Sequence, residues 1–306
     1  MTATSSDVIL DYPVDETWQG FAGVHGGVVV AALLAATRSL VPGTPATVTT
    51  HFLAPLPPGD LPVEAALVHP GRTAAVTARI GAAVQGLIRV IRDSPTIQGD
   101  ATIQGDAAIP GDGGGSGGAG GSGGAGGAGG AGGARRPADP GGVGRSVLEA
   151  APAWAPPEPA AEPEKYPRLD LPVQLVPVGQ HFEIRPVSAS RPLAGGDDPA
   201  FDVWIRLRPA VFTTRTFDAP EAAAILLDAL PPGLFATLRA PMPIPTAELT
   251  AHFAPVAYQP DSWFRLRQRT AWTTSDLCVD ETELRTADGT LAAQARQLRR
   301  IIRNRL

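Results

Sequence analysis

Apolar and polar positions along this chain fall into two runs of strand-like and helix-like segments, separated by a low-complexity stretch. In the first run, residues 8–16 read as a strand that Pro13 keeps short or places at a sheet edge. The segment Val28-Val29-Val30-Ala31-Ala32-Leu33-Leu34-Ala35-Ala36 is apolar all round, which in a helix means burial on most sides. Its valines would suit a strand equally well, but the Ala-Leu half and the stop at Pro42-Gly43 favour a helix. Strand candidates follow at 47–53, 61–69, 73–80 and 85–91, with turn signals at Pro57-Pro58-Gly59-Asp60 and Pro70-Gly71. In the second run, residues 181–187 and 201–207 read as strands, the latter with Phe201, Val203, Ile205 and Leu207 on one face. Asp218 can cap a helix over 222–230, Pro220 fits its first turn, and Glu221 favours its positive end. Pro231-Pro232-Gly233 ends that helix, and four strands are predicted at 246–255, 262–272, 278–285 and 290–302, with Asp288-Gly289 as the last hairpin turn.

The two runs echo each other. Thr49-Thr50-His51-Phe52 follows the first helix, and Thr250-Ala251-His252-Phe253 follows the second. A duplicated unit of one buried helix and an antiparallel meander describes two tandem hot-dog domains, each with a central helix wrapped by its sheet. The fold class expected is therefore α+β, a double hot-dog, with a ligand cleft between the paired domains. The boundaries expected are 1–95, 96–172 and 173–306. The middle stretch repeats Thr-Ile-Gln-Gly-Asp-Ala twice and then becomes a Gly/Ala/Ser tract and a Pro-rich segment. It holds too little apolar surface to offset its ordering entropy, and it reads as a disordered linker.

Bulk composition narrows the function. With 306 residues and 43% hydrophobic positions, two modest cores can be built. A formal net charge of −5, from 25 Lys+Arg against 30 Asp+Glu, argues against nucleic acid as the partner. The single cysteine, Cys278, excludes an intramolecular disulfide and a cysteine-based zinc cage. The histidines at 25, 51, 69, 181 and 252 show no ligand spacing, so neither a metal nor a cofactor is expected. The N-terminal residues lack the pattern of a secretory signal, and the longest apolar stretch is about half a membrane span. No membrane association is expected, and the location expected is cytoplasmic.

Short motifs in fixed order resemble the acyl-CoA thioesterase II family. They are His25-Gly26-Gly27, Gly71-Arg72-Thr73, Gly179-Gln180-His181-Phe182-Glu183, Asp228-Ala229-Leu230-Pro231-Pro232, Thr246-Ala247-Glu248, His252-Phe253 and Gln294-Ala295-Arg296-Gln297. The resemblance covers most of both halves but not the Gly-rich insert. It implies hydrolysis of acyl-CoA thioesters to a free acid and coenzyme A, with further assembly through the sheets as in such families. It also implies a catalytic trio of Asp228, Thr246 and Gln297 that positions a water against the thioester. This chain departs from the family where Leu298-Arg299 follows the glutamine in place of Glu-Gly, and where Glu248 stands in place of Asp.

The residues themselves suit that chemistry. Asp228 has apolar neighbours, so its carboxylate would be partly desolvated and a stronger base toward water. Strand alternation groups Ala293, Ala295 and Gln297, a face with room for a helix, and a glutamine amide can both donate to a carboxylate and accept from water. Thr246 alternates with Glu248 and Thr250, opposite Leu249, Ala251 and Phe253. It reaches the same site only through a bulge or a strand end, with Glu248 as a substitute acid. Gly26 and Gly27 are expected to bind substrate, through backbone N–H groups at a helix start that stabilise the developing oxyanion. His51 and His252, equivalent by duplication, read as core or interface residues, and His25 as a shaper of the pocket mouth. The tail arginines Arg296, Arg299, Arg300, Arg303 and Arg305 read as a solvated strand end, with coenzyme A phosphates as the other use. Cys278 has no evident histidine partner and there is no GxSxG elbow, so no covalent acyl-enzyme is expected. The rival readings are a non-catalytic acyl-CoA or lipid-binding protein and a hot-dog enoyl-CoA hydratase, whose Asp-x-Asn-Pro-x-His loop is absent.

Overall fold

A computed structural model describes residues 7–92 and 160–303. The first half contains β1 (Asp7–Val14), α1 (Gly26–Leu40), β2 (Thr44–Phe52), β3 (Gly59–His69), β4 (Thr73–Ile80) and β5 (Val84–Ile91). The second contains β6 (Phe182–Pro186), β7 (Ala200–Leu207), α2 (Ala219–Leu227), β8 (Thr246–Phe253), β9 (Phe264–Thr273), β10 (Leu277–Thr286) and β11 (Leu291–Arg300). The eleven strands among the described residues join one sheet, in the order β1-β3-β4-β5-β2-β8-β11-β10-β9-β7-β6, and each neighbouring pair is antiparallel. Each half is a meander with its own helix, so the double hot-dog predicted from the pattern is the architecture found.

The two halves meet along β2 and β8 about a local twofold. Thr49 pairs with Thr250 at its centre, flanked by Val48 with Ala251 and Thr50 with Leu249, then Thr47 with His252 and His51 with Glu248. Thr250 Oγ1 donates to Thr49 Oγ1 at 3.1 Å across the axis. Placing the equivalent strands side by side leaves neither with a bare hydrogen-bonding edge.

Burial follows the pattern that predicted it. Every residue of α1 from Gly27 to Thr37 is buried, because the helix packs against α2 on one side and the sheet on the other. Gly86 in β5 lets it come close: a Cβ there would lie 2.8 Å from Leu33 Cδ1. α2 starts on the capping box expected of Asp218 and Glu221, with Glu221 N–H donating to Asp218 Oδ1 at 2.8 Å and Asp218 N–H to Glu221 Oε2 at 3.1 Å. It stops at Leu227, three residues short of the predicted end, and Asp228 becomes its C-cap. That early stop turns the Asp228 side chain out of the helical path.

One expectation changes at the edge of the second half. Within the segment read as linker, residues 96–159 lie outside the described residues, while 160–172 pack along β6 and β7. Leu169 N–H donates to Ile184 O at 2.8 Å, Arg185 Nη1 to Tyr166 O at 2.7 Å and Trp204 Nε1 to Ala161 O at 3.0 Å.

Candidate active site

The site forms where the start of α1 meets the end of α2. Asp228 presents its carboxylate to that junction with its side chain 10% exposed. Gly27 N–H donates to Asp228 Oδ2 at 3.0 Å, and Gln297 Nε2 donates to Oδ1 at 3.1 Å. The second amide hydrogen of Gln297 faces Leu227 O at 3.4 Å. An acid at the C-terminus of α2 opposes that helix's own dipole, and the positive end of α1 compensates for it. His25 Nε2 lies 2.8 Å from the backbone O of Asp228, so it carries the proton and pins the aspartate's main chain.

The glycine pair makes this approach possible. A Cβ on Gly26 would stand 2.7 Å from Asp228 Oδ2, and one on Gly27 would stand 2.6 Å from Ala224 O. The first would displace the carboxylate, and the second would push the helices apart. Of the two N–H groups expected to serve substrate, that of Gly27 is engaged by Asp228 in this structure.

Thr246 reaches the site through the bulge that the alternation required. Gln297 pairs with Leu249 and Leu298 with Glu248, but Arg299 pairs with Thr246, so Ala247 is the extra residue. Thr246 Oγ1 thereby comes to 3.4 Å from Gln297 Oε1. All three predicted residues, from α2, β8 and β11, therefore converge with the start of α1. Glu248 does not join them: it sits on the outer face with His51, 3.6 Å from Nδ1. His51 and His252 are exposed at the seam between the halves, so they are interface residues and not core ones.

The sequence reading placed Arg299 in a solvated tail, and the structure corrects it. Arg299 is 5% exposed, with Nε 2.7 Å from Asp280 Oδ2, Nη1 donating to Thr246 Oγ1 at 2.9 Å and Nη2 3.8 Å from Asp228 Oδ1. Asp280 is fully buried on β10 and accepts from Thr270 Oγ1 at 2.7 Å. Burial pushes its carboxyl above the usual carboxylate range, against the pull of the Arg299 cation. The signal that would have found Arg299 is the period of two: it lies one step beyond Gln297 on the same strand face. The other tail residues behave differently. Arg296 and Arg300 are exposed, Arg303 donates to Ser275 O at 3.1 Å, and Arg305 lies outside the described residues.

Cys278 is buried, and burial pushes its thiol up to about 12, which leaves it a poor nucleophile. Among the described residues, no group of three or more His, Cys, Asp or Glu is placed to hold a metal ion. No helix among them is long and apolar enough to cross a membrane. A cleft lined by Gln19, Phe21, Gly23, Leu56 and Pro57 flanks the segment leading into His25.

Two family models match the chain: the acyl-CoA thioesterase N-terminal domain over residues 14–92 and the acyl-CoA thioesterase C-terminal domain over residues 149–301. No curated protein matches it. Among solved structures, a conserved hot-dog protein of unknown function from Alicyclobacillus acidocaldarius is similar at 18% identity, with a TM-score of 0.64 over 99% of this chain and 95% of that one. A proposed thioesterase II from Thermobifida fusca gives 17% identity and a TM-score of 0.65, over 97% and 92%. An acyl-CoA thioesterase II from Mycobacterium marinum gives 14% and 0.57, over 97% and 94%. At such identities these structures establish the fold.

Proposed function

Because this chain belongs to the acyl-CoA thioesterase family, we propose that its substrate is an acyl-CoA and that Asp228, Gln297 and Thr246 hold the water that cleaves it. The observation that carries the reading is the clamp on Asp228: one carboxylate oxygen takes the Gly27 N–H and the other takes the Gln297 amide. Each oxygen keeps a further lone pair for solvent. A water bound there attacks the thioester carbonyl carbon while Asp228 takes its proton. The C–O bond forms, the C–S bond breaks, and the proton passes to the departing coenzyme A sulfur. The positive end of α1 at Gly26 and Gly27 faces the charge that grows on the carbonyl oxygen.

Apolar packing around Asp228 and Gln297 keeps bulk water from competing for these hydrogen bonds. The exposed Phe21 and its neighbours in the adjoining cleft offer apolar surface to an acyl chain. The test is release of free thiol from hexanoyl-, decanoyl- and palmitoyl-CoA, compared between wild type and Asp228→Asn. Turnover in the wild type that falls about 10²- to 10⁴-fold in the variant supports the reading. Equal turnover in both removes Asp228 from the chemistry. Binding without turnover in either protein points to a non-catalytic acyl-CoA carrier.

A further inference from the structure

We propose that Arg299 is a positioning residue for the hydrolytic site, a role that rests on the reading of Asp228, Thr246 and Gln297 given above. Its guanidinium can only donate. The bond from Nη1 to Thr246 Oγ1 at 2.9 Å therefore makes the threonine an acceptor and frees its hydroxyl hydrogen for Gln297 Oε1, at 3.4 Å the longest link. Gln297 then points its amide nitrogen at Asp228 Oδ1, 3.1 Å away. The result is a chain of one direction, from arginine to hydroxyl to amide to carboxylate. Without the arginine the Thr246 hydroxyl is free to turn, and the amide oxygen loses its defined donor.

A second observation separates this role from a purely structural ion pair. Arg299 is held by Asp280, which lies at 2.7 Å from Nε and is fully buried. That contact is an ion pair: Nε and Nη2 are both buried without an aligned hydrogen bond, and Nη2 lies on the site side, 3.8 Å from Asp228 Oδ1. A buried pair kept for packing alone would spend its donors on fixed neighbours. Here Nε is ion-paired with Asp280, Nη1 is spent on Thr246, and Nη2 places positive charge beside the carboxylate that receives the proton.

The test uses the full chain and an acyl-CoA that it hydrolyses, with Tm, kcat and KM measured for each variant. Arg299→Met alone strands the Asp280 charge and lowers both Tm and kcat. Replacing the pair, as Arg299→Met with Asp280→Leu, fills the space with apolar groups and is expected to restore most of the Tm. In that double variant kcat stays about 10²-fold low with KM little changed, as for a site displaced by a fraction of an ångström. Recovery of Tm and kcat together overturns the proposal and leaves Arg299 a structural residue. Should the double variant not fold, Arg299→Lys decides, because one ammonium cannot serve Asp280 and Thr246 at once. A reduced kcat at wild-type Tm supports the proposal, and a wild-type kcat overturns it. Asp228→Asn runs alongside: full activity there would defeat the hydrolytic reading itself, whereas an inactive Asp228→Asn beside an active double variant defeats only the role of Arg299.

Discussion

The two halves share five equivalent strands and even the same irregularities, β6 being an extra edge strand of the second, but only the second carries the polar side chains of the site. In β8 the bulge is Ala247, opposite the step from Leu298 to Arg299 in β11. In β2 it is Ala46, at the equivalent place, where Val90 pairs with Pro45 and Arg89 with Thr47. β10 against β9 and β4 against β3 share a second irregularity, next to Asp280 and Val76 respectively. With the registers aligned, Gln297 corresponds to Ile88, Arg299 to Val90, Thr246 to Pro45 and Asp280 to Val76. Ile88, Val90 and Val76 are buried core residues. α1 offers no ionisable residue between Gly26 and Thr37, whereas α2 ends on Asp228.

The first half contributes a helix start to the site. α1 and α2 run antiparallel, so each N-terminus meets the other's C-terminus. At one junction the Gly26-Gly27 start receives Asp228. At the other, Arg38 of α1 pairs with Asp218 and, at 2.8 Å, with Glu221 at the start of α2. Burial there pushes the Glu221 carboxyl up to about 7. One junction is therefore built around a glycine gap, and its twin is closed by an ion pair. Of the two helix junctions, only the first gathers the candidate site residues.

Exchanging equivalent residues tests this asymmetry most severely. Gln297→Ile gives the second half the residue of the first, and kcat for thiol release should drop about 10²- to 10³-fold, with Tm lowered because Asp228 Oδ1 loses its buried donor. A variant that keeps its kcat would break the comparison. The reverse exchange, Ile88→Gln, buries an amide without partners and should cost about 2–3 kcal/mol in denaturant unfolding. Its kcat for the folded fraction should stay at the wild-type level, and loss of kcat without loss of stability would mean that the first half also does chemistry.

Next in size is a pH effect at the contact between halves. His181, before β6, stacks on Trp18 at 3.9 Å, and burial lowers its pKa to about 4. A depressed histidine stabilises the fold above its unfolded pKa of about 6.5, and that contribution is lost as pH falls toward about 4. Unfolding free energy should therefore fall by on the order of 2 kcal/mol across that window, and His181→Phe should flatten the slope. An unchanged slope would show that the histidine is not the group responsible. Smallest is Thr246→Val, which keeps the shape and removes the hydroxyl. About a tenfold loss in kcat is expected, and no loss would take Thr246 out of the hydrogen-bond chain.

Most of the architecture was legible because buried strands and helices write their period into the sequence. Phe201, Val203, Ile205 and Leu207 share a buried face, and Asp218 caps α2, as the pattern required. The proximity of Asp228, Gln297 and Thr246 followed from the family resemblance, and the bulge at Ala247 could be inferred for Thr246 only as a condition. Alternation put Arg299 on the Gln297 face, but its ion pair with Asp280 was hidden for a physical reason. A charge on a strand reads as solvated unless its partner is known, and that partner sits on the neighbouring strand at a register no local pattern reveals. The end of α2 was missed because Ala229 and Leu230 are apolar and buried whether or not they are helical.

The most direct measurement is the single-turnover rate of Asp228→Asn at saturating acyl-CoA, which separates chemistry from binding and release. The clamp between Gly27 and Gln297 predicts a rate about 10³-fold below wild type, with acyl-CoA still bound at comparable affinity. A rate within about threefold of wild type would contradict it, because a group that takes the water's proton in the transition state cannot be that dispensable.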